Sequence, residues 1–112
     1  MIRFPIFLVL FMFLQLTARA QQDTVFIKTS AVCKTCKKKI EGDISFEKGV
    51  KKVNLDLNTK VLMVVYDSRK TSPEKLRLAV TQTGYDADTI PRNPKAFKRL
   101  PDCCKEEQEH HP

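Results

Sequence analysis

Residues 53–66 read VNLDLNTKVLMVVY, and this stretch decides the fold. Val53, Leu55 and Leu57 alternate with Asn54 and Asp56, the period-two pattern of a strand with one buried face. Asn58-Thr59-Lys60 supplies a tight turn, and the apolar run 61–66 predicts a second strand, central in its sheet. The middle of the chain is therefore expected to be a β-hairpin.

Its flanks extend the pattern. Downstream, Ser72-Pro73-Glu74 joins a hydroxyl cap, a proline at the first helical position and an acid at the positive end of a helix. Leu76, Ala79, Val80 and Thr83 share one face of that helix, Gly84 stops it, and residues 85–90 predict a last short strand. Upstream, Val25-Phe26-Ile27 predicts a strand over 24–29, followed by a loop over 30–33. From about Lys34 onward, Cys36, Ile40 and Ile44 recur every four residues, so a helix is expected, ended by Gly49 in a left-handed cap. The order is strand, helix, strand, strand, helix, strand. Right-handed crossovers then predict an α+β class: a ferredoxin-like βαββαβ sandwich, with a four-stranded antiparallel sheet and both helices on one face. Asp56, Asp67 and the other acids read as solvated strand and turn residues.

The chain ends differ from this domain. In residues 1–20, Arg3 precedes an apolar run over 4–16 and Ala18-Arg19-Ala20 offers a small-x-small cleavage site, which predicts a signal peptide. As a helix the run spans roughly 20 Å, short of the ~30 Å hydrocarbon core, so no integral membrane segment is expected after cleavage. The expected location is the bacterial periplasm or the medium beyond it. Cleavage removes Arg3 and Arg19 and no acid, lowering the formal charge from +7 to +5. Such a balance suits an acidic partner. Nucleic acid is not expected, because export separates the chain from it and no aromatics interleave with the basic residues. The segment 91–112 is a Pro-rich tail carrying Cys103, Cys104, His110 and His111.

Four cysteines in an exported chain suggest disulfides, but they fall as Cys33/Cys36 and the adjacent Cys103/Cys104. Each pair is too closely spaced to brace a fold by closing on itself. Cys33 lies on the loop and Cys36 begins the first helix, where unsatisfied N–H groups and the dipole favour a thiolate. Lys34, Lys37, Lys38 and Lys39 add positive potential. Disulfide, redox centre and metal site all remain open on these grounds.

Taken together, Cys33-x-x-Cys36, Ile40-Glu41-x-x-Ile44, Gly49-Val50-x-x-Val53, Tyr66-Asp67, Thr71-Ser72 with Leu76, and Gly84-Tyr85 make the chain resemble the heavy-metal-associated domain family. This family includes copper chaperones, modules of copper-pumping ATPases and periplasmic mercury-binding proteins. The resemblance covers roughly residues 24–90, and the domain is placed at 23–90. It implies that Cys33 and Cys36 bind a soft cation through both sulfurs, Cu(I) first, with Hg(II) or Zn(II) as the other candidates. It also implies that Tyr85 sits beside the metal. Where the family carries Gly-Met before its first cysteine, this chain has Ser30-Ala31, and the smaller alanine implies a looser loop. The expected function is an exported soft-metal carrier that passes its ion by thiolate exchange to a donor or acceptor protein, acidic or itself a Cys-x-x-Cys domain. The lysines at 34, 37, 38 and 39 are expected to steer that partner. The alternatives are a thiol–disulfide oxidoreductase and a passive disulfide-stabilised binding module. No Ser/His/Asp set, acid pair or phosphate loop points to an enzyme.

The tail can return to the cysteine loop. Residues 91–103 span at most ~43–47 Å when extended, against a return path of roughly 17–20 Å, one strand length. Asn93-Pro94 is expected to cap a helical turn that puts Phe97 and Leu100 on one side. Cys103 or Cys104, helped by His110 or His111, is then a candidate accessory ligand or hand-off thiol, with a disordered tail as the alternative.

Overall fold

The computed structural model describes residues 21–109, with side chains through Lys105. The expected signal peptide and the accessory candidates His110 and His111 lie outside the described residues.

The hairpin forms as its alternation requires. Strands β2 (Val50–Asp56) and β3 (Val61–Asp67) pair antiparallel, and β1 (Gln22–Lys28) pairs antiparallel with the other edge of β3. The sheet order is β1-β3-β2, so the most apolar strand is central. Leu62, Val64 and Tyr66 face the core with Ile27 and Leu55. The opposite face of the sheet carries Phe26, which is 64% exposed.

Helix α1 (Lys34–Ser45) buries Cys36, Ile40 and Ile44 against this sheet. Helix α2 (Pro73–Gln82) buries Leu76, Val80 and Thr81 beside it. The Ser72 hydroxyl accepts from the Lys75 N–H, so the cap forms where Ser-Pro-Glu places it. Beyond the sheet edge, the Lys37 ammonium and the Glu41 carboxylate hold the carbonyl and N–H of Leu55 at 2.9 Å each. One turn apart on α1, these two side chains satisfy the open edge of β2.

Three expectations are corrected. Among the described residues the sheet has three strands, and residues 85–90 contribute only bridges, Thr29 to Ala87 and Ala87 to Ile90. Asp88 is the cause. Its φ of +52° turns the chain, and it accepts from Lys28 N–H with its own carboxylate while donating its N–H to Lys28 O. The segment thus mimics a strand for one residue, bends back on itself, and meets Pro91, which has no N–H for a ladder.

Helix α1 stops at Ser45, not at Gly49. Glu47 and Val50 continue in successive turns, and Gly49, at φ +84°, lets the chain pass the 70–71 turn. A Cβ there would lie 2.8 Å from Lys70 Cβ.

Asp67 is not a solvated turn residue. It is 5% exposed and accepts from the Arg69 backbone at 2.9 Å and from its guanidinium at 3.1 and 3.2 Å. That pairing holds its carboxyl at about 2.

The tail is built back onto the domain. Arg92 N–H donates to Asp86 Oδ1 and Asn93 N–H to Thr81 O. The Asn93 side chain then caps the short helix α3 (Pro94–Lys98) by accepting from Lys95 and Ala96 N–H at 3.0 and 3.1 Å. Arg92 lies over the Phe97 ring at 3.6 Å, and Leu100 enters the core. Leu100 sits directly over Gly84, where a Cβ would meet its Cδ1 at 2.9 Å. Helix α4 (Asp102–Glu109) follows.

Candidate metal centre

The loop between β1 and α1 presents Cys33 and Cys36. Cys33 is the N-cap residue of α1 in an extended conformation, and Cys36 lies in the first helical turn, facing inward. Their sulfurs are 3.1 Å apart. Cys36 has no exposed surface, whereas Cys33 is half-buried at the mouth.

The loop is pinned on both sides. The Ser30 hydroxyl accepts from Asp86 N–H at 2.9 Å, and the Thr29 hydroxyl accepts from Ala31 N–H while donating to Lys60 O. Ala31 is fully buried in the core. Hydrogen bonds from Ser30 and Thr29 and the burial of Ala31 therefore restrain the loop.

The tail closes over this pair. The sulfur of Cys104, fully buried in the first turn of α4, lies 2.9 Å from Cys36 Sγ and 3.7 Å from Cys33 Sγ. Cys103 is exposed, with its sulfur 3.9 Å from that of Cys104. The sulfurs of Cys33, Cys103 and Cys104 all lie within 4.8 Å of one another. No disulfide joins any of the four.

Tyr85 roofs the cluster from the loop after α2. It is fully buried, and its hydroxyl has no partner at hydrogen-bonding geometry. Its polar neighbours are the sulfurs of Cys36 and Cys104, which add to burial in pushing the phenol far above its usual range.

The three inner thiols differ in acidity. Burial alone raises Cys36, but the neighbouring Cys104, the Tyr85 hydroxyl, the Val32 N–H and Cys33 outweigh it and hold the thiol below its usual value. Cys104 is driven well up, first by burial and then by Cys36. Cys33 is raised by the same two causes. These directions favour ionisation at Cys36 over Cys33 and Cys104.

The four lysines separate into two kinds. Lys37 is bound to the Leu55 carbonyl, and Lys39 pairs with Asp43 at 2.9 Å. Lys34 and Lys38 are exposed. Sequence reasoning did not find Ser30, Asp86 or the packing role of Gly84. The Gly84-Tyr85 dipeptide was visible, but nothing in the sequence says that Leu100 needs the bare glycine surface.

Residues 26–86, more than half of the chain, match the heavy-metal-associated domain. The chain belongs to the heavy-metal-associated domain family. It is 38% identical over 66 residues to copper-transporting ATPase 1 of Rattus norvegicus, covering 59% of this chain and 4% of that protein. It is 33% identical over 66 residues to the mercuric transport protein periplasmic component of Serratia marcescens, covering 59% of this chain and 72% of that protein. Oxidized MerP from Ralstonia metallidurans CH34 superposes with a TM-score of 0.57 at 31% identity, covering 60% of this chain and 94% of that one. The CopZ metallochaperone shares the fold, with a TM-score of 0.56 at 23% identity, over 58% of this chain and 98% of that one. The ferredoxin-like heavy-metal-associated fold therefore stands in this chain with a three-stranded antiparallel sheet. The matched region ends before the tail, so Cys103 and Cys104 are additions to the shared domain. Among the described residues, no helix is long and apolar enough to cross a membrane.

Proposed function

We propose that this chain is an exported carrier of a soft metal ion, holding Cu(I) or Hg(II) through Cys33 and Cys36 and passing it to a partner by thiolate exchange. The observation that carries the reading is the pair itself: two sulfurs 3.1 Å apart, one buried and the other at the mouth. Thiolates select soft cations, and two sulfurs with one side open to a partner suit near-linear coordination. Structural zinc wants four ligands, which the pair alone does not offer.

Transfer needs no change of oxidation state. A partner thiolate forms a bond to the metal as the Cys33–metal bond breaks, a second partner thiolate then displaces Cys36, and each released sulfur takes up a proton equivalent to one that the partner thiols gave up. Cys33 is the first leaving sulfur because it is the less buried of the two. Lys34 and Lys38, the two lysines left exposed without a structural contact, steer an acidic partner or another Cys-x-x-Cys domain; Lys37 and Lys39 are held by Leu55 and Asp43. Export rests on residues 1–20, and a periplasmic location on that segment together with the periplasmic relative. The role is carriage rather than catalysis.

Anaerobic mixing of the Cu(I)-loaded chain with an apo Cys-x-x-Cys acceptor, followed by separation, tests transfer. The metal is expected to redistribute within the mixing time. Metal that stays with the wild type against excess acceptor contradicts the carrier reading.

A further inference from the structure

We propose that Cys104 is a third sulfur ligand, so that the folded-back tail converts the open Cys33/Cys36 pair into a closed three-sulfur site for a thiophilic ion such as Hg(II) or Cu(I). This rests on the reading of Cys33 and Cys36 as the metal-binding pair and adds the residue that completes it.

The geometry is that of a triangle, with sulfur–sulfur edges of 2.9, 3.1 and 3.7 Å among Cys36, Cys104 and Cys33. Metal–sulfur bonds of ~2.3 Å in a trigonal plane give edges of about 4 Å. One edge already matches, and the other two must open by about 1 Å to reach it. Each metal–sulfur bond replaces a proton on a neutral thiol, and those protons leave to solvent.

A buried cysteine in an apolar core is ordinary. What sets Cys104 apart is the Tyr85 hydroxyl, fully buried, without a partner at hydrogen-bonding geometry, and bordered by the sulfurs of Cys36 and Cys104. An unsatisfied buried hydroxyl is costly, and native structures rarely keep one without a purpose. A metal-bound thiolate drawn into hydrogen-bonding geometry would be an acceptor for this donor.

The tail is also held independently of any metal. Leu100 packs on Gly84, Asn93 N–H bonds Thr81 O, Arg92 N–H bonds Asp86, and Asn93 caps α3. Cys104 is therefore presented by ordered backbone, in the first turn of α4. Cys103, the neighbour in sequence, is exposed, with its sulfur 3.9 Å from that of Cys104 and within 4.8 Å of that of Cys33, and is the competing third donor.

Closure changes the traffic of the ion. With three sulfurs the ion is walled from solvent and small chelators, and release requires Cys104 to let go before a partner reaches Cys33. The tail thus acts as a latch on the carrier, absent from a domain that ends near residue 86.

X-ray absorption on the mature chain with one equivalent of Hg(II) tests the assignment. The wild type and Cys103→Ser are expected to show three sulfurs, and Cys104→Ser two, with a shorter mean bond. Cys104→Ala serves as a second variant that places no hydroxyl in the core, and circular dichroism checks that each variant is folded. Two sulfurs in the wild type overturn the third ligand while leaving the Cys33/Cys36 reading intact. Loss of the third sulfur in Cys103→Ser but not in Cys104→Ser overturns it in favour of the outer thiol. Hg(II) bound unchanged by the Cys33→Ser/Cys36→Ser double variant overturns the underlying pair as well.

Discussion

Replacing Gly84 by alanine should unseat the tail, and the structure sets the size of the effect. Gly84 has φ +103°, a conformation that strains any L-residue by ~1–3 kcal/mol. The new Cβ would meet Leu100 Cδ1 at 2.9 Å, Leu100 Cγ at 3.1 Å and the backbone carbon of Ala96 at 3.2 Å. Overpacking of this kind costs a further ~1–3 kcal/mol. Leu100→Ala removes two of those three atoms and by itself costs ~2–3 kcal/mol, the low end for a core leucine, because residue 100 sits at the core's edge. In the double variant the backbone strain and the Ala96 contact persist, but the collision with Leu100 is gone. The cycle should therefore show a favourable coupling of ~1–2 kcal/mol. Urea unfolding of the reduced chain, in which a domain of this size has marginal stability, resolves differences of that order. Purely additive costs would refute the packing of Leu100 on Gly84, and with it the route by which Cys104 is brought to the pair.

Two further outcomes follow from named contacts. Lys34→Glu with Lys38→Glu should slow metal transfer to an acidic partner at low salt, with the difference fading as ionic strength shortens the screening length to about 8 Å, and should leave metal affinity unchanged; equal rates at low salt would reduce these lysines to a solvated helix face. The Asp67 carboxyl, held at about 2 by Arg69, is depressed relative to the unfolded chain, so its contribution is fully present above about 4 and is lost as pH falls toward 2. Unfolding between pH 7 and 3 should thus be less pH-dependent in Asp67→Asn, and identical profiles would place the acid sensitivity elsewhere.

The sequence made most of the framework legible because hydrophobic period is a local property. Alternation at 53–57, the run at 61–66 and the four-residue recurrence of Cys36, Ile40 and Ile44 each imply one element, and the caps at Ser72 and Asn93 form where their side chains place them. What stayed hidden depends on long-range pairing. Residues 85–90 have strand-like composition, but whether they extend a sheet turns on Asp88 bonding Lys28, sixty residues away. The burial of Asp67 depends on Gly49 O and Arg69 converging on one turn. Ser30 stands where the family carries glycine, and its hydroxyl finds a use only because Asp86 N–H faces it. For the tail, chain length showed that a return was within reach. It could not show that Leu100 finds a glycine surface, nor which of two adjacent cysteines turns inward.

Competitive titration of the reduced mature chain tests the central claim most directly. Cu(I) is presented with a coloured chelator and Hg(II) with a competing small thiol, for the wild type, Cys33→Ser, Cys36→Ser and the double variant. The account predicts one ion per wild-type chain, affinity lower by orders of magnitude in either single variant, and circular dichroism unchanged throughout. A double variant that withdraws either ion from its competitor as strongly as the wild type would contradict it.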